Sequence, residues 1–146
     1  MNVMKSFYSI LVAFVLSSQI TSSQTLDVHV KDIKSAKGQI CIAIFADAAG
    51  FQSEKTIWET KYAKKLVTNG NLDLTIPLRA GKYGLSVLDD ENMSGKMEYN
   101  LFGIPLEGFG FSNYYHRGFC KPSFDDFSFV VEKDEVVCVT VYMKYF

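Results

Sequence analysis

The chain has 146 residues, of which 48% are hydrophobic, 14% aromatic and 21% charged. That balance excludes a disordered tail and a collagen-like repeat. A formal net charge of −1 leaves no basic field to draw a phosphate backbone, so nucleic acid is excluded as a partner. Residues 1–23 have the pattern of a secretory signal peptide. Lys5 supplies the basic start, Phe7 to Leu16 form an apolar run broken only by Ser9, and a polar tract follows to Ser23. Thr21 and Ser23 place small residues before a cut at Gln24. The apolar run is shorter than the roughly 20 residues that span a bilayer, which disfavours an N-terminal anchor. No Cys near the cut offers a lipoprotein attachment. The expectation is one domain over 24–146, secreted or periplasmic, with no transmembrane anchor once the signal is removed.

Beyond the signal, the pattern is period two, the strand signature. Leu26, Val28 and Val30 alternate with Asp27, His29 and Lys31, predicting a half-buried strand with His29 outward. Ile40, Ile42 and Ile44 alternate with Cys41, Ala43 and Phe45; both faces are apolar, which predicts a central strand. A short helical turn is expected within 51–57. The segment Trp58 to Val67 fits either a helical stripe (Trp58, Tyr62, Leu66) or a further strand. Leu72, Leu74, Ile76 and Leu78 predict a strand that Pro77 ends or confines to an edge, because proline has no N–H to donate. Tyr83, Leu85 and Val87 predict another, and Phe127, Phe129 and Val131 one more. The last strand presents Val137, Val139, Val141, Met143 and Tyr145 on one face. Turn signals fall between these runs at Lys37-Gly38, Asn69-Gly70 and Ala80-Gly81. No long helix is available for an α/β crossover. The prediction is an all-β antiparallel sandwich of about seven strands with immunoglobulin-like architecture.

Three cysteines, Cys41, Cys120 and Cys138, permit one disulfide at most. A Cys41–Cys138 bridge requires neighbouring strands; otherwise both act as small apolar residues. Cys120 falls in a loop, as a free thiol. No C-x-x-C supports a zinc or redox motif.

From Asp89 to Ser123 the alternation stops. This stretch holds half of the glycines and seven aromatic residues, which predicts an ordered, functional loop rather than disorder. Within it, Asp90, Asn92, Ser94, Lys96 and Glu98 are spaced as oxygen donors around Gly95, as in a calcium loop. Leu101 stands where an EF-hand needs its last Glu, so the alternatives are a looser Ca²⁺ loop or a tight turn that selects the same residues. Calcium is the one candidate cofactor. In Gly108-Phe109-Gly110-Phe111 the rings fall on one side, either as a plug for the sandwich or as an aromatic binding platform. Tyr114, Tyr115 and Arg117 are the candidate contact set for a partner, because Tyr and Arg dominate interface hot spots. His116 with Cys120 or a carboxylate is the one arrangement suited to a cryptic hydrolase. No nucleophile elbow, zinc-protease or phosphate-loop motif occurs. No catalytic residue is assigned. The charge runs Asp89–Glu91 and Lys64–Lys65 are expected to be solvated.

The run from Gly81 to Asn113 carries a resemblance. It reads GKYGLSVLDDENMSGKMEYNLFGIPLEGFGFSN. It resembles the bacterial exported family DUF2141, a domain of unknown function, with a G-x-Y strand, a DEN-x-x-GK loop and a G-x-P-x-E-G-F-G-F-S-N stretch. The signature residues here are Gly103, Pro105, Glu107, Gly108, Gly110, Phe111, Ser112 and Asn113. Asp89, Ser94 and Glu98 stand where that family often has His, Asn or Asp, and Asp. The resemblance implies export and a transthyretin-like or prealbumin-like sandwich. The functional expectation is a non-enzymatic module that binds an unidentified protein or a small envelope ligand through 89–123. The alternatives are a calcium-stabilised structural module and the cryptic hydrolase.

Overall fold

The computed structural model describes residues 24–146; the residues read as a signal peptide lie outside that range. Eight strands and two short helices follow in order: β1 (Thr25–Lys31), β2 (Gln39–Phe45), α1 (Ala48–Gln52), β3 (Trp58–Ala63), β4 (Leu72–Pro77), β5 (Gly81–Asp90), β6 (Gly108–Phe111), α2 (Phe124–Phe127), β7 (Ser128–Val131) and β8 (Val136–Tyr142). They form two sheets. One is three-stranded, in the order β4-β1-β8; the other is β3-β2-β5-β6, with β7 also paired to β5. The prediction of an all-β sandwich holds. One pair departs from antiparallel order: β1 and β8 run parallel, so the first and last strands of the described residues lie side by side.

The inner faces follow the sequence alternation. Leu26, Val28 and Val30 of β1, Ile40, Ile42 and Ile44 of β2, Leu85 and Val87 of β5, and Val139 and Val141 of β8 form the main core. Each such side chain contributes about 1.5–3 kcal/mol by leaving water. Strand β2 is central, between β3 and β5, which explains why both of its faces are apolar. Pro77 is the last residue of β4, and β4 is an edge. Asn69 and Gly70 both have positive φ (50° and 76°), and Thr68 and Asn71 exchange backbone bonds across them. This is the tight two-residue hairpin that Asn-Gly selects.

One open reading is resolved and three change. The ambiguous 58–67 segment is strand β3 followed by a single 3₁₀ turn at Lys64–Leu66. The helical turn expected in 51–57 is α1, earlier at Ala48–Gln52, where the Asp47 carboxylate accepts the Gly50 N–H at 2.7 Å. Phe127 belongs to α2, not to the strand with Phe129. Finally, 89–123 is not one loop: β5 runs on through Asp90, and Gly108–Phe111 is strand β6.

Lys64 and Asp89 are not solvated. Asp89 is fully buried and Lys64 nearly so, and the two form an ion pair. The Lys64 ammonium also donates to Ser35 O at 2.6 Å, and the Tyr145 hydroxyl donates to Asp89 Oδ2 at 2.6 Å. A charge enters the interior only with such partners, and this set ties the 33–37 segment, β5 and the C-terminus together. Asp90 is buried as well, while Glu91 and Lys65 are exposed as expected. All three cysteines are free. Cys41 points from the outer face of the five-stranded sheet and Cys138 from the outer face of the three-stranded one, so a bridge between them has no path.

Candidate binding cleft

The outer face of the five-stranded sheet carries a second apolar cluster. Phe45, Phe51, Phe109, Phe111, Phe124 and Phe127 form it, with Ala43, Met97 and Tyr114 against them. Phe127 stands edge-on to Phe51 at 4.8 Å and packs against Phe111 at 4.9 Å between ring centres. Strand β6 supplies Phe109 and Phe111 because its alternate residues are glycines. A Cβ at Gly108 would run into the Tyr145 ring, and one at Gly110 into Val141. The strand therefore sits tight against β8 on one side and offers its rings on the other. The rings are core for this cluster and wall for the cleft beside it.

Beside this cluster lies a cleft of about 510 Å³. Its floor is Cys41 and Ala43 of β2 and Ser86 and Leu88 of β5, small or apolar residues on the outward positions. Phe109, Phe111 and His116 form one wall. Gly95 to Met97, Tyr99 and Pro105 border it, as do Phe119 to Pro122. Lys61, Lys96 and Lys121 lie among the lining residues, with Glu54 and Glu59. Ligand sites commonly combine an apolar and aromatic wall with placed polar groups, and this cleft has both. His116 is 9% exposed, its ring about 6 Å from those of Phe109, Phe111 and Tyr114. Its Nδ1 is buried with no hydrogen-bond partner in the protein.

The expected contact residues sit beside this cleft. Tyr114 packs on the phenylalanine cluster, Tyr115 and Arg117 face solvent, and none of the three lines the cleft. His29 is outward on β1, its Nδ1 2.7 Å from Asp73 Oδ1. His116 and Cys120 share the cleft, but no hydrogen bond joins them. Burial, then the charge and hydrogen bond of Asp90, push the Cys41 thiol up to about 12, which keeps it protonated and a poor nucleophile.

The spacing that suggested calcium builds a self-satisfied turn. Asp90 Oδ1 accepts from Ser94 N and Oδ2 from Gly95 N, both at 2.9 Å. Oδ2 also accepts from Gln39 Nε2 at 2.6 Å and from the Cys41 thiol. Burial alone would raise the Asp90 carboxyl, but these donors outweigh it and hold it below its ordinary value. Asn92 Oδ1 accepts from Ser94 N, Asn92 Nδ2 donates to Glu98 Oε2 at 2.7 Å, and the Ser94 hydroxyl donates to Lys96 O. Among the described residues no cluster of three or more His, Cys, Asp or Glu is placed to hold a metal.

The signature residues are joints of the fold. Ser112 Oγ donates to Phe127 O at 2.6 Å and accepts from Leu85 N at 3.0 Å, linking β5 to the end of α2. Asn113, at φ 53°, exchanges two bonds with Thr140: its N–H donates to Thr140 O, and its Oδ1 accepts from Thr140 N. This closes the two sheets along β8. Glu107 is buried; its Oε1 accepts from Glu91 N at 3.1 Å, while Oε2 has no partner. Gly103 and Pro105 shape the hairpin that borders the cleft, where Tyr99 pairs with Pro105.

Sequence reasoning missed the cleft floor. Cys41, Ala43 and Ser86 read there as strand residues. Their small size on outward positions was the available signal.

An all-β sandwich with an aromatic-walled cleft is the class that this geometry defines. The family model described as "Uncharacterized protein conserved in bacteria (DUF2141)" matches residues 28–138, and the chain belongs to that family. No curated protein and no solved structure matches it. No helix among the described residues is long and apolar enough to cross a membrane.

Proposed function

We propose that the protein is an exported, non-enzymatic binding module whose outer-face cleft takes a small apolar ligand carrying one polar group. The cleft itself carries the reading: apolar walls with a buried histidine nitrogen that no protein group satisfies. A buried polar atom without a partner is costly, and a ligand group bonded to it removes that cost. Binding rather than catalysis is supported because His116 has no orienting partner and Cys41 is held as a thiol. Export rests on the signal pattern of residues 1–23.

The test uses displacement of an apolar fluorescent dye such as N-phenylnaphthylamine. The wild-type protein is expected to bind the dye. Ala43→Phe, which fills the floor, is expected to abolish binding while the melting temperature holds. Dye binding unchanged by Ala43→Phe overturns the reading.

A further inference from the structure

One hairpin next to the cleft carries an exposure that folding does not explain. Leu101 is 100% exposed and Phe102 is 87% exposed, and Tyr99 and Leu106 beside them are exposed too. The eight residues from Tyr99 to Leu106 include no charged residue. Large apolar side chains gathered at one projecting point mark an interaction site.

Five backbone N–H groups of this tip, those of Asn100, Phe102, Gly103, Ile104 and Leu106, are bonded within the hairpin. Asn100 Oδ1 accepts from Phe102 N at 2.8 Å and from Ile104 N at 3.0 Å. Gly103 N donates to Asn100 O at 3.0 Å, Leu106 N donates to Glu98 O at 2.9 Å, and Asn100 N donates to Ile104 O. Pro105 has no N–H to satisfy. In water such donors need no internal partner. In hydrocarbon each does.

A second patch is aromatic and basic, and its Phe119 borders the same cleft. Phe119 is 71% exposed and stacks on Phe146 at 5.3 Å, with Lys144 Nζ 4.1 Å from the Phe146 ring centre and Arg117 exposed nearby in sequence. No carboxylate occurs between Ser112 and Phe124. Aromatic rings beside basic groups suit the headgroup level of an anionic membrane.

We propose that Leu101 and Phe102 form an insertion tip that, with Arg117, Phe119 and Lys144, seats the protein on an anionic lipid surface. A protein partner fits less well. A stable interface buries about 800 Å² on each side with matched shape, and a two-residue wedge offers far less. Lipid accepts such a wedge without shape matching. The inference does not depend on what occupies the cleft.

The experiment is vesicle flotation of residues 24–146, which contain every described element. Vesicles of phosphatidylcholine alone are compared with vesicles that also contain phosphatidylglycerol. The wild-type protein is expected to float with the anionic vesicles. The double variant Leu101→Ser/Phe102→Ser is expected to lower the bound fraction about tenfold with an unchanged melting temperature, since both side chains project into solvent. Arg117→Gln/Lys144→Gln is expected to bring anionic vesicles down to the phosphatidylcholine level. Three results overturn the proposal: wild-type protein that stays unbound with anionic vesicles, equal flotation of the Leu101/Phe102 variant, or a dimer in size-exclusion chromatography that this variant dissolves.

Discussion

Asp90 and Glu107 show how neighbouring carboxylates can be driven in opposite directions. Asp90 is held low by four hydrogen-bond donors. Glu107 is raised by burial first, then by the charge of Asp90, against the backbone N–H groups of Glu91 and Asn92. A raised carboxyl is penalised when ionised in the fold. Its effect therefore costs stability as pH rises from its ordinary value of 4.5 through its folded value. A lowered carboxyl acts oppositely, and the stability from Asp90 is lost as pH falls through its folded value. Glu107→Gln keeps an oxygen for Glu91 N and removes the charge. We expect this variant to gain stability relative to wild type as pH rises from the ordinary value of 4.5 through the raised folded value, with no gain below that window. Urea unfolding at several pH values checks this, and a pH-independent difference contradicts it. The signature reading gave Glu107 no physical role. Burial beside Asp90 arises only when the segment before β6 folds back over the end of β5.

Strand β6 shows what an element adds beyond its residues. Its alternation was legible as rings on one side, and the structure confirms that geometry. Its being a strand was not legible, because glycine has low strand propensity and four residues are few. Pairing with β5 and the Phe109–Lys144 bridge supply what propensity lacks. The glycines are needed for the approach to β8, so Gly110→Ala must displace Val141 or the Tyr142 carbonyl. We expect a loss of about 1–3 kcal/mol in chemical denaturation, the usual cost of overpacking. Stability within error of wild type would show that β8 yields freely at this point. The neighbouring hairpin at 98–106 is held by the bonds of Asn100, and Leu101 and Phe102 at its tip stay exposed.

At the scale of the molecule, two sheets divide the work. The three-stranded sheet and the inner face of the other make the main core. The outer face of the five-stranded sheet holds the phenylalanine cluster and the cleft. The 90–98 turn closes one side of that cleft and is satisfied by its own N–H groups together with Gln39 and Cys41 of β2. We expect the melting temperature to be the same in millimolar calcium and in chelator, because a ligand that binds the folded state must raise it. A calcium-dependent rise would show that the turn reopens to take the ion.

The alternation of apolar residues by itself determined the sandwich, its inner faces and the central place of β2, and the missing N–H of Pro77 marked a strand end or an edge. A period of two assigns faces whatever the partner strand is. The Asn69-Gly70 turn was equally local, set by two residues that tolerate positive φ. Only the tertiary structure decided which strands become neighbours, including the parallel β1–β8 pair. It also decided that Lys64 meets Asp89 inside the protein, and that small residues on two strands form one cleft floor with His116 at its wall. These are contacts between segments far apart in sequence, and no local pattern encodes who meets whom.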